Sequence, residues 1–344
     1  NDYTGYHQSV AVDRLPLVMR MEADRMRNLV LAPGEIEPER QVVLEERRSR
    51  TDNSPRARLY EQMNAALYLN HPYRNPIIGW EHEIRAIGMD DLKSFYKKWY
   101  APNNAILVVA GDITLEKLRP LAEKYYGGLK PSKGLERIRT QEPPPGAARR
   151  IALRDRRVRQ PSWRRAYLAP SHGYGDKAHL YSLEVLAEIF GSGSTSRLYR
   201  SMVIGEKLAV SARAGYDAGG LGPSTFSIGA SPLPGISMEK LEAGIDAQIA
   251  LLVEKGVTEK ETERAKQRLI DGAVFARDSL RAGARVLGGA LSSGMKIEDV
   301  ENWPERIGAV TADRIKAAAR AVFKKRASVT GLLLPPRAKK SAGP

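Results

Sequence analysis

No cysteine occurs among the 344 residues, which excludes disulfides and cysteine metal sites without fixing a compartment. No apolar run approaches the ~20 residues that cross a bilayer as a helix. Histidine is scarce. His7, His71, His82, His172 and His179 are the full set, no two stand at His-x-x-x-His spacing, and no His-x-x-Glu-His is present, so the chain carries no self-contained helical zinc motif. Acids are also short, 40 against 55 basic residues, for a net charge of +15. Such an excess admits nucleic acid, an anionic surface or an acidic protein as partner. No zinc-finger, aromatic RNP-strand or KH-type module is evident, so nucleic acid is not the expected partner.

What is present is a mixture of helix and strand signals. The segment Glu35 to Asn53 (EIEPERQVVLEERRSRTDN) reads as a helix: Pro38 suits a first turn, acids crowd the start, and Arg47, Arg48 and Arg50 follow toward the end, matching the helix dipole. Glu39 and Glu46 are seven apart and share a face. With Val42 and Val43 they fall on an i, i+3, i+4, i+7 stripe, which a helix usually turns to its core. Carboxylates there must be solvated, paired with nearby arginines, or bound to a cation.

Other helices are expected over 14–29, 54–67, 89–100, 114–126, 179–190, 237–255 and 259–278, with more through Phe323. Strands are expected over 1–12, 104–110, 151–153, 163–168, 209–216, 224–230 and 327–334. The Gly/Ser run Gly191 to Arg197 lacks the lysine of a P-loop and reads as a loop leading into a helix. His71, before a proline in a turn-rich loop, reads as structural. Eight arginines lie between Arg149 and Arg165 against one acid, Asp155. Strand alternation would put Arg154, Arg156 and Arg164 on one solvated face. Lys130 to Gly146 is proline-rich and charged, as a linker would be. The expected domains are 1–129, a linker over 130–148, a second domain over 149–334, and a disordered tail over 335–344.

A weak repeat connects the halves. A helix-then-strand pattern from Leu92 through Tyr100 recurs from Ile315 through Phe323, at a separation of 223 (315 − 92 and 323 − 100). The second copy begins near Arg150, so an equal first copy would begin about 73 residues before Asn1 (223 − 150).

The stretch Glu39-Arg40-x-Val42-Val43-x-Glu45-Glu46 resembles the third-ligand helix of the pitrilysin / mitochondrial-processing-peptidase family of inverted-motif zinc proteases. Asn1 to Tyr6 (NDYTGY) and the loop His71-Pro72-Tyr73 through Pro76-Ile77 to Gly79 resemble family segments as well. In that family a His-x-x-Glu-His helix supplies two zinc ligands and the general base, and a glutamate roughly 75 residues later is the third ligand. The resemblance makes Glu46 that metal ligand and Glu39 a supporting acid that orients a metal-ligating histidine. It puts the histidine motif and the general base upstream of Asn1, so that none of the catalytic residues proper lies in this chain. It further implies Zn2+ as cofactor and an α+β fold of two homologous domains, each a mainly antiparallel sheet with helices on one side, the first incomplete at its N-terminus.

Family members also carry an arginine and a tyrosine seven apart in the second half, to hold the substrate peptide. The matching positions here are Val203 and Val210, and neither can donate a hydrogen bond. The resemblance therefore implies the zinc-bearing subunit of a heterodimeric peptidase, with a homologous partner supplying the Arg/Tyr pair and an extended peptide as substrate. A non-catalytic scaffold of the same fold is the alternative. Relatives of this size in bacteria are often exported, which makes the periplasm the expected location, with the cytoplasm as the alternative.

Overall fold

The computed structural model describes residues 1–337; residues 338–344, most of the tail expected to be disordered, lie outside the described residues. The helices are α1 (Leu15–Asn28), α2 (Ile36–Arg47), α3 (Pro55–Leu67), α4 (Glu81–Ala86), α5 (Met89–Trp99), α6 (Leu115–Tyr126), α7 (Leu180–Gly191), α8 (Met238–Lys255), α9 (Glu259–Ala276), α10 (Ala282–Ser292), α11 (Ile297–Glu301), α12 (Trp303–Gly308) and α13 (Ala312–Val322). The strands are β1 (Arg149–Arg154), β2 (Ser162–Ala169), β3 (Ala209–Tyr216), β4 (Ser224–Pro232) and β5 (Ser328–Leu334). The chain divides into two compact units: Asn1–Arg47, Ile77–Arg139 and Val274–Val300 in the first, Arg48–Pro76, Thr140–Ala273 and Glu301–Pro344 in the second.

The second unit is built on one sheet in the order β1-β5-β2-β4-β3. All its pairings are antiparallel except β1 with β5. Alternation along β2 explains its two faces. Trp163 and Tyr167 pack with Leu183, Leu186, Leu241, Ile245 and Ile315 from α7, α8 and α13. Ala166, with Val329 and Leu333 of β5, faces Leu59, Met63 and Leu67 of α3. Fully burying side chains of this size is worth about 1.5–3 kcal/mol each, and that holds α3 on the sheet. Gly331 is needed for this contact: a Cβ there would fall 2.2 Å from the Met63 sulfur.

The His71 loop closes the same unit. Glu142, within the segment read as linker, is buried, and its carboxylate accepts the backbone N–H groups of Leu69, Asn70 and His71 at 2.7, 3.0 and 2.8 Å. His71 is itself buried, accepts from the Tyr73 N–H at Nδ1 (3.2 Å) and packs its ring on Tyr73. It acts as a structural loop histidine.

The first unit is helical among its described residues. The Tyr96 hydroxyl of α5 donates to the Arg25 carbonyl of α1 at 2.7 Å and accepts from the Leu29 N–H at 3.2 Å. Two strand expectations fail here. Residues 1–11 and 105–110 run outside any helix and pair with no strand among the described residues. Side chains favouring a strand do not make one without a neighbour to accept the ladder of hydrogen bonds, and Ile106 and Leu107 stay about half exposed.

The repeat extends beyond the segment that revealed it. Element starts recur 223 residues apart: α1 and α8 (15 and 238), α2 and α9 (36 and 259), α5 and α13 (89 and 312), and the 3-10 turns at Pro102 and Lys325 (102 and 325). Each unit also takes in a segment of the other repeat. Residues 48–76 of the first belong to the second unit, and residues 274–300 of the second belong to the first.

Candidate functional site

Helix α2 carries both acids singled out by the sequence. Its acidic start and basic end suit the dipole, with Glu37 and Glu39 in the first turn and Arg47 in the last. The expected inward stripe needs correction. Leu44 and Arg47 are the buried positions, with Ile36, Arg40 and Val43 half-buried, while Glu39 and Val42 are exposed. The packing stripe is therefore 36, 40, 44, 47, one residue round the helix from the one expected.

The physical reason is that two arginines span this face. Arg40 pairs with Glu37 and donates to the Ile87 carbonyl at 2.6 Å. Arg47 donates to the Gly79 carbonyl at 2.8 Å, its guanidinium 5.9 Å from the Trp80 ring centroid. Long arginine stems pack while their heads reach carbonyls, a pattern an apolar-stripe reading misses. Glu39 is left in solvent and Glu46 half-buried on the neighbouring face.

A structural zinc site needs four donors and a catalytic one three. Among the described residues no three His, Cys, Asp or Glu side chains converge in a way that could hold a metal ion. The remaining histidines do not help: His7 and His82 are exposed, His179 lies 3.6 Å from Asp176, and the His172 ring sits 6.2 Å from the Tyr181 ring. These residues by themselves do not fit a zinc ion. Glu46 is a single, half-buried carboxylate.

Val203 lies in a π-helical segment, Tyr199–Gly205, and packs against the core. Val210 falls at the irregularity in β3 between Ala209 and Ser211, and is exposed. The Gly/Ser run is closed by Arg197, which donates to Glu261 at 2.6 Å and to the Gly256 carbonyl at 2.9 Å. Burial opposes the charge on Glu261, but the bonds from Arg197 and Thr258 outweigh it and hold its carboxyl down at about 2.

Two polar features of the second unit were not anticipated. Arg165, between Trp163 and Tyr167 on the inward phase of β2, is 2% exposed and bonds Glu242 at 2.6 Å, Asp246, and the Thr330 hydroxyl at 2.9 Å. An arginine at an inward strand position demands acids from elsewhere, and α8 supplies them about 80 residues later (242 and 246 against 165). Glu184 of α7 is half-buried; it accepts the Trp303 indole N–H at 2.8 Å, and burial pushes its carboxyl up to about 7, with Asp217 adding to the rise and the Trp303 bond opposing it.

Known proteins resemble this arrangement. Residues 86–269 match a family described as Peptidase M16 inactive domain. The chain is 30% identical over 267 residues to the zinc protease PqqE of Helicobacter pylori; the match covers 77% of this chain and 59% of that protein, so this chain spans less than two thirds of the relative. An uncharacterised zinc protease of Mycobacterium leprae is 27% identical over 331 residues, covering 94% and 72%. The crystal structure of a protease from Helicobacter pylori superposes with a TM-score of 0.86 at 27% identity, covering 94% and 77%. A peptidase M16 inactive domain from Pseudomonas fluorescens superposes with a TM-score of 0.80 at 20% identity, covering 96% and 77%, a likeness of fold.

Proposed function

Starting from the fact that this chain belongs to the peptidase M16 family, we propose that it is the zinc-bearing subunit of a two-subunit metallopeptidase that hydrolyses extended peptides. The relatives named zinc proteases support zinc and peptide hydrolysis. The observation that carries the assignment to this chain is the face of α2. Its packing is done by Ile36, Arg40, Leu44 and Arg47, which leaves Glu39 exposed and Glu46 half-buried on the adjoining face, two turns of helix apart.

In this reading Glu46 contributes one oxygen donor to a zinc ion, and the other donors and the general base come from outside the described residues. Glu39 orients a metal-ligating histidine through a hydrogen bond. Val203 and Val210 give the substrate no hydrogen-bond donor from their side chains, so a homologous partner contributes an arginine and a tyrosine. Zinc, when bound, supplies Lewis-acid polarisation of the scissile carbonyl. No described helix is long and apolar enough to cross a membrane, which accords with the periplasmic location we propose.

Peptide cleavage by the purified chain, by the partner, and by the mixture tests this. The expected result is cleavage by the mixture alone; full-rate cleavage by this chain alone would refute the two-subunit reading. A second reading, a scaffold of the same fold without catalysis, draws support from the inactive-domain description matched over 86–269. It predicts a mixture whose activity is indifferent to Glu46→Gln.

A further inference from the structure

The face of the sheet that receives α3 is not fully covered. Beyond the helix, β2, β4 and β3 frame a hollow of about 50 Å³. Its floor is set by register. Arg164 of β2 stands opposite Gly229 of β4, and Gly229 stands opposite Arg213 of β3. Two arginines therefore flank one glycine in a single cross-strand row. A Cβ on Gly229 would make ordinary van der Waals contact with the Arg213 side chain, its Nε at 3.7 Å, so a branched side chain there would extend into the hollow.

Two residues along each strand, on the same face, the lining turns to hydroxyls: Ser162, Ser231 and Ser211. Arg56, from the first turn of α3, and Tyr60, one turn on, complete the rim. The Arg164 guanidinium lies 4.4 Å over the Tyr60 ring, which holds it in place.

Charge pairing separates these arginines from the rest of the sheet. Arg150 and Arg165 bond Glu242, Arg157 bonds Asp155, and Arg149 and Arg154 donate to backbone carbonyls. Arg56, Arg164 and Arg213 have no ion pair or guanidinium hydrogen bond among the described residues, and no acid lines the hollow. Arginine stays charged at any physiological pH, so three fixed cations and three hydroxyls converge on a space with room for a few waters, each needing about 10–15 Å³ on the same measure. That space suits a carboxylate and is too small for an aromatic ring.

β3 is an edge strand among the described residues. Its outer backbone groups can receive an extended peptide by strand addition, with alternate side chains turned to the face of the hollow. We propose that this hollow is a binding site for the carboxylate of an acidic side chain in an extended peptide, so that the chain prefers acidic peptides. That the ligand is a peptide rests on the peptidase reading; that it is an anion rests on the hollow.

The test is equilibrium binding, independent of cleavage. Fluorescence anisotropy of the full chain is measured with a labelled extended peptide bearing a central glutamate and with its glutamine counterpart. The glutamate peptide is expected to bind roughly tenfold tighter, the scale of a charge-assisted bidentate contact. Arg164→Gln with Arg213→Gln should abolish the difference. Gly229→Val, which fills the floor and keeps every charge, should abolish it too; thermal unfolding verifies that each variant is folded.

Equal affinity for the two peptides overturns the proposal. So does a preference that survives Gly229→Val, since diffuse surface charge would then explain it. Inorganic phosphate binding at the hollow without any glutamate preference also overturns it. Binding of the acidic peptide with no cleavage in any mixture would sink the peptidase reading and leave this site standing. Cleavage without acidic preference would do the reverse.

Discussion

Burial disfavours the charge on Glu184, the Trp303 indole N–H bond only partly offsets this, and the nearby Asp217 repels the charge further. Its carboxyl lies at about 7 against an ordinary 4.5. The folded state thus holds a proton that the unfolded state has lost between those values. Stability should fall as pH rises from about 4.5 to about 7 and level off above, by at most a few kcal/mol. Glu184→Gln should remove that slope and stabilise the protein above pH 7; urea unfolding at several pH values checks it, and an unchanged slope would count against the assignment. Glu261 has the opposite sign. Held down at about 2, it stabilises the fold above its ordinary value of 4.5, and that contribution is lost as pH falls from about 4.5 through 2. Arg165 is the third sensitive residue. Arg165→Ala removes the buried partner of Glu242 and Asp246 and should cost about 3 kcal/mol, the low end for a broken buried pair because Arg150 still pairs with Glu242 and Lys325 with the partly exposed Asp246. Chemical denaturation of the variant measures it. None of these three roles was read from the sequence, which placed Arg165 only within an arginine-rich stretch; the partners from α8 and α12 are brought in by the fold.

Among elements, strand β3 was legible to its ends, Ala209 and Tyr216, because β-rich residues sit between clear breaks. Helix α8 was equally legible, since Ser237 caps it by accepting from the Lys240 N–H. Residues 104–110 misled for a reason that composition hides: apolar β-formers need a ladder, and none is offered among the described residues. The α2 stripe misled because Arg40 and Arg47 pack as stems with polar tips. The hollow was invisible, since facing Arg164, Gly229 and Arg213 requires the register of three strands. At this scale the contact of α3 with β5 yields a prediction. Gly331→Ala should destabilise by about 1–3 kcal/mol through overpacking, and by less in a Met63→Ala background, because the sulfur it meets is then gone. A double-mutant cycle in denaturant reads the coupling, and additive effects would contradict the contact.

For the whole molecule, the 223-residue repeat gives the two halves a common order of elements, while residues 48–76 and 274–300 are counted in the unit of the opposite repeat. A cut in the proline-rich segment should therefore not yield a self-sufficient second half. A fragment of residues 140–344 lacks α3 and uncovers Ala166, Val329 and Leu333, so it should aggregate, and adding residues 48–76 in trans should restore a soluble folded form, seen by sizing and circular dichroism. A stable, monomeric 140–344 fragment would contradict this. The homologous domains expected over 1–129 and 149–334 remain a proposal about the whole protein, and so does its chemistry.

That chemistry rests on Glu46 as a metal donor. The most direct measurement is the zinc content of the purified protein with its partner subunit, wild type beside Glu46→Gln, by elemental analysis of dialysed samples. The account predicts one zinc ion per zinc-bearing chain in the wild type and its loss in Glu46→Gln, with Glu39→Gln weakening retention about 10–100-fold. Zinc retained equally by Glu46→Gln, or absent from an active wild type, would contradict it.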